Sequence, residues 1–145
     1  MLTTFEQIYA ELRSRGSRKR MVAAWGVDGH TVAAAGKAIE LGLADVTLVG
    51  DENLIAQACK DEGMDMTVFT IVHNENEQDS IKEAVRMVRE GEGDFLMKGL
   101  CSTDKFLRAI LNKETGLLPP KGPLTHCTTL ESPSYHKLLF GGDVA

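Results

Sequence analysis

The chain has few cysteines, no long apolar run and no excess of positive charge, and each shortage excludes a class of protein. Its 145 residues include three widely spaced cysteines without a Cys-x-x-Cys pair: Cys59, Cys101 and Cys127. This favours free thiols in a reducing compartment over a disulfide framework. The longest apolar run, residues 21–27, has about a third of the length of a membrane span.

The formal net charge is −5. This argues against a general nucleic-acid binder, because such proteins gain affinity by neutralising phosphates. The first six residues lack the basic-then-apolar order of a signal peptide. We therefore expect a cytoplasmic protein that binds neither nucleic acid nor membrane.

Several ligand-binding motifs are also missing. There is no Gly-x-x-x-x-Gly-Lys-Ser/Thr loop, which disfavours nucleoside triphosphates, and the single Gly26-x-x-Gly29 turn falls short of the full dinucleotide motif. The histidines show no metal-ligand spacing, so no metal site is predicted; they are His30, His73, His126 and His136.

Strand and helix patterns alternate from residue 21 to about residue 114. Short apolar, β-branched runs predict strands at 21–25, 45–50, 68–72 and 95–97, and amphipathic helices separate them. Asp51 and Asp79 are predicted helix caps. The alternation predicts one α/β domain over residues 1–145, with three α/β/α layers and a mostly parallel sheet.

The last thirty residues break this alternation. After the proline-rich segment 119–123, strands are expected at 124–130 and from 137 onward, joined by a turn at Ser132-Pro133. Two strands joined by a turn predict that at least one is antiparallel. The run 138–145 stops inside or just after a strand that should be buried, which indicates that a further part of the fold is missing.

The segment 93–117 carries the best candidate site. Its strand ends at Lys98-Gly99, and Ser102 and Thr103 are candidate hydroxyl caps of a helix that should run to about residue 114. Ligands collect at the carboxyl ends of parallel strands, and a helix N-terminus attracts anions. Gly99 would let a ligand approach the backbone, and Lys98 would supply a positive charge.

Arg108 lies on the polar side of the same helix and could offer a guanidinium fork to a phosphate. The structural alternative is that Lys98 and Arg108 are ordinary surface charges. Cys101 also has two interpretations: a thiol of lowered pKa at a helix start, or a small packed apolar residue. The basic cluster at 13–20 either stabilises a helix end or draws in an anionic substrate.

Several ordered motifs resemble those of the phosphate acetyl/butyryl transferase family, with the butyryl branch the closer match. They are the runs at 83–99 and 106–117, together with an earlier match at 48–51 and later matches at 124–126, 133–135 and 137–139. The resemblance covers nearly the whole chain. Because members of that family are roughly twice as long, the chain looks like the first half of one.

The resemblance implies that an acyl group moves between coenzyme A and phosphate, with acyl-CoA, phosphate and acyl phosphate as partners. Coenzyme A would be a substrate, with no tightly bound cofactor. Family members have two α/β/α domains, react in the cleft between them and usually form dimers. The catalytic aspartate and its neighbouring serine and arginine lie in the later half, so no catalytic residue is assigned here.

The family pattern also implies site residues. Arg108 would bind phosphate or the substrate anion, and the cleft would be lined by Lys98, Gly99, Ser102 and Thr103. This sequence departs from the family at Leu118, at the Pro119-Pro120 insertion, at 141–145 and at Trp25-Gly26, which replaces small alanines. The alternatives are a non-catalytic phosphate-binding, CoA-binding or dimerisation module derived from the family, or an unrelated flavodoxin-like or nucleotide-binding domain, which the ordered motifs disfavour.

Overall fold

A computed structural model describes residues 1–142, which contain five helices and six strands. The helices are α1 (Phe5–Ser14), α2 (Gly29–Glu40), α3 (Glu52–Asp61), α4 (Glu77–Arg89) and α5 (Thr103–Ile110). The strands are β1 (Lys19–Ala24), β2 (Ala44–Gly50), β3 (Thr70–His73), β4 (Phe95–Lys98), β5 (Cys127–Leu130) and β6 (Leu139–Gly142).

Four strands form one parallel sheet in the order β3-β2-β1-β4. The register places Ala24 opposite Lys98, and Gly50 opposite His73, so the carboxyl ends of neighbouring strands lie together. This confirms the predicted α/β class and the mostly parallel sheet. The third strand starts later than predicted because Met66–Val68 form a short 3-10 turn capped by Asp65.

Alternating residues of β1 divide the core into two layers. Met21 and Ala23 pack with α2 and α3 on one face of the sheet. Val22 and Ala24 pack with α4 and α5 on the other. Because successive side chains of β1 point to opposite faces, both faces of the sheet must be covered, and two helices pack on each. This is the three-layer arrangement predicted from the sequence.

The outer edge of β4 has no partner strand among residues 1–142. Phe95, at its start, has 42% of its surface exposed, although residues 95–97 were expected to be buried on both faces. The difference arises because β4 lies at the edge of the sheet, and α2 and α3 cover the β1–β2 side.

Helix caps were predicted with mixed success. Asp51 caps α3 as expected, since its Oδ1 accepts the N–H groups of Asn53 and Leu54. The cap of α4 is Asn76 rather than Asp79, whose own N–H donates to the Asn76 side chain. Helix α5 ends at Ile110, short of residue 114, because the Asn112 side chain accepts the N–H groups of Glu114 and Thr115 and starts a turn.

The last two strands pair antiparallel with each other in a small separate sheet. They are shorter than predicted, starting at Cys127 and Leu139, and residues 143–145 of the predicted final run lie outside the described part. The Phe5 N–H donates to Glu131 Oε2 at 2.6 Å and links this sheet to α1. No helix within residues 1–142 is long and apolar enough to cross a bilayer.

Candidate functional site

The candidate site lies at the carboxyl edge of the parallel sheet, where β1 and β4 end side by side. Lys98 closes β4, and its Nζ has one weak hydrogen bond, to the Gly99 carbonyl at 3.4 Å. The Lys98 side chain is exposed and can meet an anion. The edge lies where the strand order reverses, since β2 and β3 follow β1 on one side and β4 lies on the other. Crevices at such reversals commonly bind ligands.

Gly99 is required by the neighbouring strand. Its N–H donates to the Ala24 carbonyl at 3.0 Å, and a Cβ at this position would lie 2.3 Å from the Trp25 carbonyl oxygen. Backbone atoms of Ala24 and Trp25 therefore leave no space for a side chain. This packing accounts for the glycine without a ligand, and the ligand-approach role stays a prediction.

The start of α5 is already engaged by a carboxylate from α4. Ser102 occupies the cap position, but its hydroxyl makes no capping bond, contrary to the sequence-based expectation. Its N–H instead donates to Glu77 Oε1 at 3.0 Å, and Glu77 Oε2 accepts from Lys105 Nζ. The bonds from Lys105 and from the Ser102 N–H lower the pKa of Glu77 below its ordinary value. Thr103, the first helical residue, is exposed beside this contact.

Cys101 is a packed apolar residue. It is 5% exposed in the α4–α5 core layer, and its Sγ lies 3.7 Å from the Ala24 carbonyl. Burial raises the pKa of the Cys101 thiol, outweighing the opposing effect of Lys98. The interpretation as a thiol of lowered pKa is therefore wrong.

Arg108 lies in the last turn of α5, facing a groove of about 980 Å³ between α4 and α5. Its side chain is 79% exposed, and its Nε donates to Asp104 Oδ1 at 3.0 Å. The groove has an apolar floor that includes Val85 and Ala109, and charged side chains at its rim. Because the pairing with Asp104 is exposed, it is weak and can be exchanged for an anion.

The five predicted site residues thus fall on two surfaces. Lys98, Gly99, Ser102 and Thr103 form the turn between β4 and α5, whereas Arg108 belongs to the groove, whose lining includes none of those four. The sequence treated these residues as one site, whereas the structure separates them, and their binding roles stay predictions. Within residues 1–142, no group of three or more His, Cys, Asp or Glu side chains is placed to hold a metal ion.

The basic cluster near α1 is largely paired. Ion pairs of 3.0 to 3.2 Å join Arg13 to Glu6, Arg15 to Glu11, Arg18 to Asp45, and Arg20 to Asp94. The hydrogen bonds from Arg20 lower the pKa of Asp94 to about 2. These pairs favour the structural interpretation of the cluster over a substrate-attracting one.

The sequence did not predict the contacts of Glu77 or the backbone conformation of Trp25. Glu77 was interpreted as part of an exposed acidic surface, yet it bridges Ser102 and Lys105 from 25 and 28 positions away. Trp25 adopts a positive φ of 55° directly after β1. Only the departure of Trp25-Gly26 from the family's small alanines could have drawn attention to that position.

Comparison with known proteins identifies the family. The family model described as Phosphate acetyl/butaryl transferase matches residues 3–85, more than half of the chain. The chain belongs to the phosphate acetyl/butyryl transferase family.

Individual members of the phosphate acetyl/butyryl transferase family match along the whole chain. A phosphate butyryltransferase of Clostridium acetobutylicum is 37% identical over 145 residues, which are 100% of this chain and 48% of the relative. A phosphate acetyltransferase of Rhizobium meliloti is 27% identical over 97% of this chain and 44% of its own length. The chain therefore spans about half the length of these relatives.

A solved structure shows the same fold. It is a branched-chain phosphotransacylase from Enterococcus faecalis V583, matched with a TM-score of 0.67 and 22% identity over 86% of this chain and 42% of the other. Since the identity is low, this likeness concerns the architecture. It supports the α/β/α assignment.

Proposed function

We propose that this chain forms the N-terminal half of an enzyme that transfers a butyryl or acetyl group between coenzyme A and phosphate. In this reaction a phosphate oxygen bonds to the thioester carbonyl carbon, the carbon–sulfur bond breaks, and the products are acyl phosphate and the CoA thiolate, which takes up a proton. Coenzyme A is a substrate, and the proposal includes no tightly bound cofactor.

The observation that carries this proposal is the end-to-end match to a relative named phosphate butyryltransferase, of which the chain spans 48%. The alignment covers the whole of this chain and about half of the relative. The butyryl activity named for that relative is preferred because its identity, at 37%, exceeds the 27% of the acetyltransferase from Rhizobium meliloti.

The contribution of this half is substrate binding. Lys98 presents an exposed cation at a strand end, and Thr103 presents an exposed hydroxyl at the start of α5. Gly99 and Ser102 shape the turn between them. Arg108 offers an exposed guanidinium on the groove side of the same helix. Cations and hydroxyls of this kind suit phosphate oxygens and the phosphates of coenzyme A.

Catalysis would be supplied by the second half. A nucleophilic thiolate is disfavoured at Cys59 and Cys101, because both are buried and burial raises the pKa of each thiol. Glu77 is engaged by Ser102 and Lys105. The open edge of β4 supports an additional part of the fold beside this domain. We therefore expect residues 1–145 to be one domain of a two-domain, dimeric protein.

The same proposal places the protein in the cytoplasm. Its thiols are free, including the exposed Cys127, which suits a reducing compartment. The acyl-CoA substrates are also anionic metabolites that do not cross membranes unaided.

The test is thiol release from butyryl-CoA and acetyl-CoA in the presence of phosphate. The folded 145-residue chain is assayed alone and together with the C-terminal half of the Clostridium acetobutylicum enzyme. We expect no turnover alone and phosphate-dependent turnover in the mixture. Clear turnover by the chain alone would show that the catalytic base lies within these residues. No turnover in the mixture, with both halves folded and associated, would count against the transferase proposal.

A second candidate function is a non-catalytic binding or dimerisation module. The observation that favours it is an exposed apolar pair on one face of the small sheet, where Leu130, 55% exposed, lies opposite Leu139, 42% exposed. Exposed apolar side chains paired on a two-stranded sheet indicate a partner surface. Sedimentation of the isolated chain would distinguish the candidates: a stable dimer without any activity in the mixture supports the module.

A further inference from the structure

Trp25 has a backbone conformation that tryptophan rarely adopts. It is the single tryptophan of the sequence, follows the last residue of β1 and has φ = 55°. Glycine is the usual residue at such an angle, because it has no Cβ to collide with the backbone. Residues held in such conformations concentrate at ligand sites.

The backbone around Trp25 is held by three hydrogen bonds that do not involve its ring. The Ala24 carbonyl accepts the Gly99 N–H at 3.0 Å, and the Trp25 carbonyl accepts the Leu100 N–H at 3.0 Å. On the β2 side of β1, the Gly26 N–H donates to the Val49 carbonyl at 3.2 Å. Any residue type could make these bonds, and glycine could make them without strain. These bonds therefore fix the backbone angle without a contribution from the indole.

The indole lies at the carboxyl edge of the sheet. Its Cε3 would be 3.6 Å from a Cβ placed on Gly50, so the ring lies over the end of β2, where the adjacent residue has no side chain. It packs at the margin of both core layers and stays partly exposed. Lys98 of the adjacent strand β4 pairs in register with Ala24, the residue before Trp25. Trp25 and Lys98 thus follow neighbouring strand ends, with the indole on the β2 side of β1 and Lys98 on the β4 side.

We propose that Trp25 is a ligand-contacting residue whose indole stacks on the adenine ring of coenzyme A, with Lys98 beside the phosphates. This inference rests on the proposed function, because it assigns a residue to the CoA-binding part of that function. An aromatic face together with a cation matches the two chemical parts of a nucleotide. Butyryl phosphate also carries a phosphate, but its flexible alkyl chain has no flat face to stack on the indole.

The test uses the 145-residue chain, adenosine 3′,5′-bisphosphate and free coenzyme A. Because Trp25 is the single tryptophan, its fluorescence reports directly on stacking, and both ligands should quench it. By calorimetry, Trp25→Gly should weaken nucleotide binding roughly tenfold, the effect typical of losing one base–aromatic stack. Trp25→Tyr should retain most of the affinity, and Trp25→Leu, which keeps an apolar side chain, should lose as much as the glycine variant.

Phe140→Ser is the matched control, since it removes an exposed aromatic ring from β6, and its affinity should equal that of the wild type. Coenzyme A binding that is unchanged in Trp25→Gly and Trp25→Leu overturns the inference and leaves the proposed function standing. Quenching by butyryl phosphate but not by the nucleotide assigns the ring to the acyl group and also overturns it. Absence of coenzyme A binding to the wild type rejects both the inference and the CoA-binding proposal.

Discussion

The Glu77 carboxylate accepts the backbone N–H of Ser102 at 3.0 Å, and this contact joins the first turn of α4 to the residue that precedes α5. The same carboxylate accepts a hydrogen bond from Lys105, in the first turn of α5. A residue on one helix thus fixes the start of another and neutralises the local positive potential there. The turn proposed to bind substrate is consequently held in place by a group outside it.

This contact should make stability depend on pH. The pKa of Glu77 is lowered from its ordinary value of 4.5, chiefly by the Lys105 bond, so the native state releases this proton more readily than the unfolded state. Its contribution is complete above about pH 4.5 and is lost as the pH falls through the native pKa. Urea unfolding of the wild type and Glu77→Gln should therefore show a stability gap at pH 7 that closes in acid.

Lys105→Met tests whether the Lys105 hydrogen bond is the main cause of the lowered Glu77 pKa. In chains that carry Lys105→Met, the difference in unfolding free energy between Glu77 and Glu77→Gln should depend much less on pH, because that hydrogen bond is gone. A gap of the same size and pH dependence would show that the Ser102 N–H alone is responsible.

Gly99→Ala should destabilise the domain. The new Cβ would lie 2.3 Å from the Trp25 carbonyl oxygen and 2.8 Å from that of Ala24, so strands β1 and β4 must move apart. We expect a loss of roughly 1–3 kcal/mol in the free energy of unfolding, as for other overpacked positions. Gly142→Ala is the control, since its Cβ would meet only an ordinary contact at 3.6 Å, and its unfolding should be unchanged. Equal stabilities for the two variants would contradict the geometry at Gly99.

Arg108→Ala should weaken the binding of phosphate or acyl phosphate without unfolding the domain. The side chain is 79% exposed and has one carboxylate partner, so its removal should cost at most about 1 kcal/mol of stability. Isothermal calorimetry measures the affinity, and thermal unfolding checks the fold.

Arg15→Ala is the matched control for Arg108, because Arg15 also pairs with a carboxylate four residues away and is 66% exposed. Its phosphate affinity should match that of the wild type. Equal affinities for wild type, Arg108→Ala and Arg15→Ala would remove Arg108 from the site.

The three thiols should differ in reactivity. Cys127 is exposed, whereas Cys59 and Cys101 are buried, and burial raises the pKa of both buried thiols. A short treatment with iodoacetamide at pH 7.5 should label one thiol per native chain and three after denaturation. Peptide mass spectrometry should place the native label on Cys127. Rapid native labelling of Cys101 would contradict its packing against Ala24.

Much of the fold could be predicted because the decisive signals are local. Apolar residues that alternate along β1 face opposite sides of a sheet whatever follows, and Asp51 reaches the N–H groups of the next turn within its own segment. The same local reasoning located the Lys98-Gly99 turn at a strand end. It failed for the α4 cap, where Asn76 and Asp79 compete within one turn and the sequence offers both.

The tertiary structure decided what depends on distant segments. The sequence alone determined an α/β domain with a strand, a turn and a helix at residues 93–117. Only packing decided that Glu77 accepts the Ser102 N–H. Packing also placed the Trp25 carbonyl against Gly99, and Arg108 in a separate groove. The physical reason is that helix and strand periods follow from neighbouring residues, whereas contacts between segments depend on how the sheet brings their ends together.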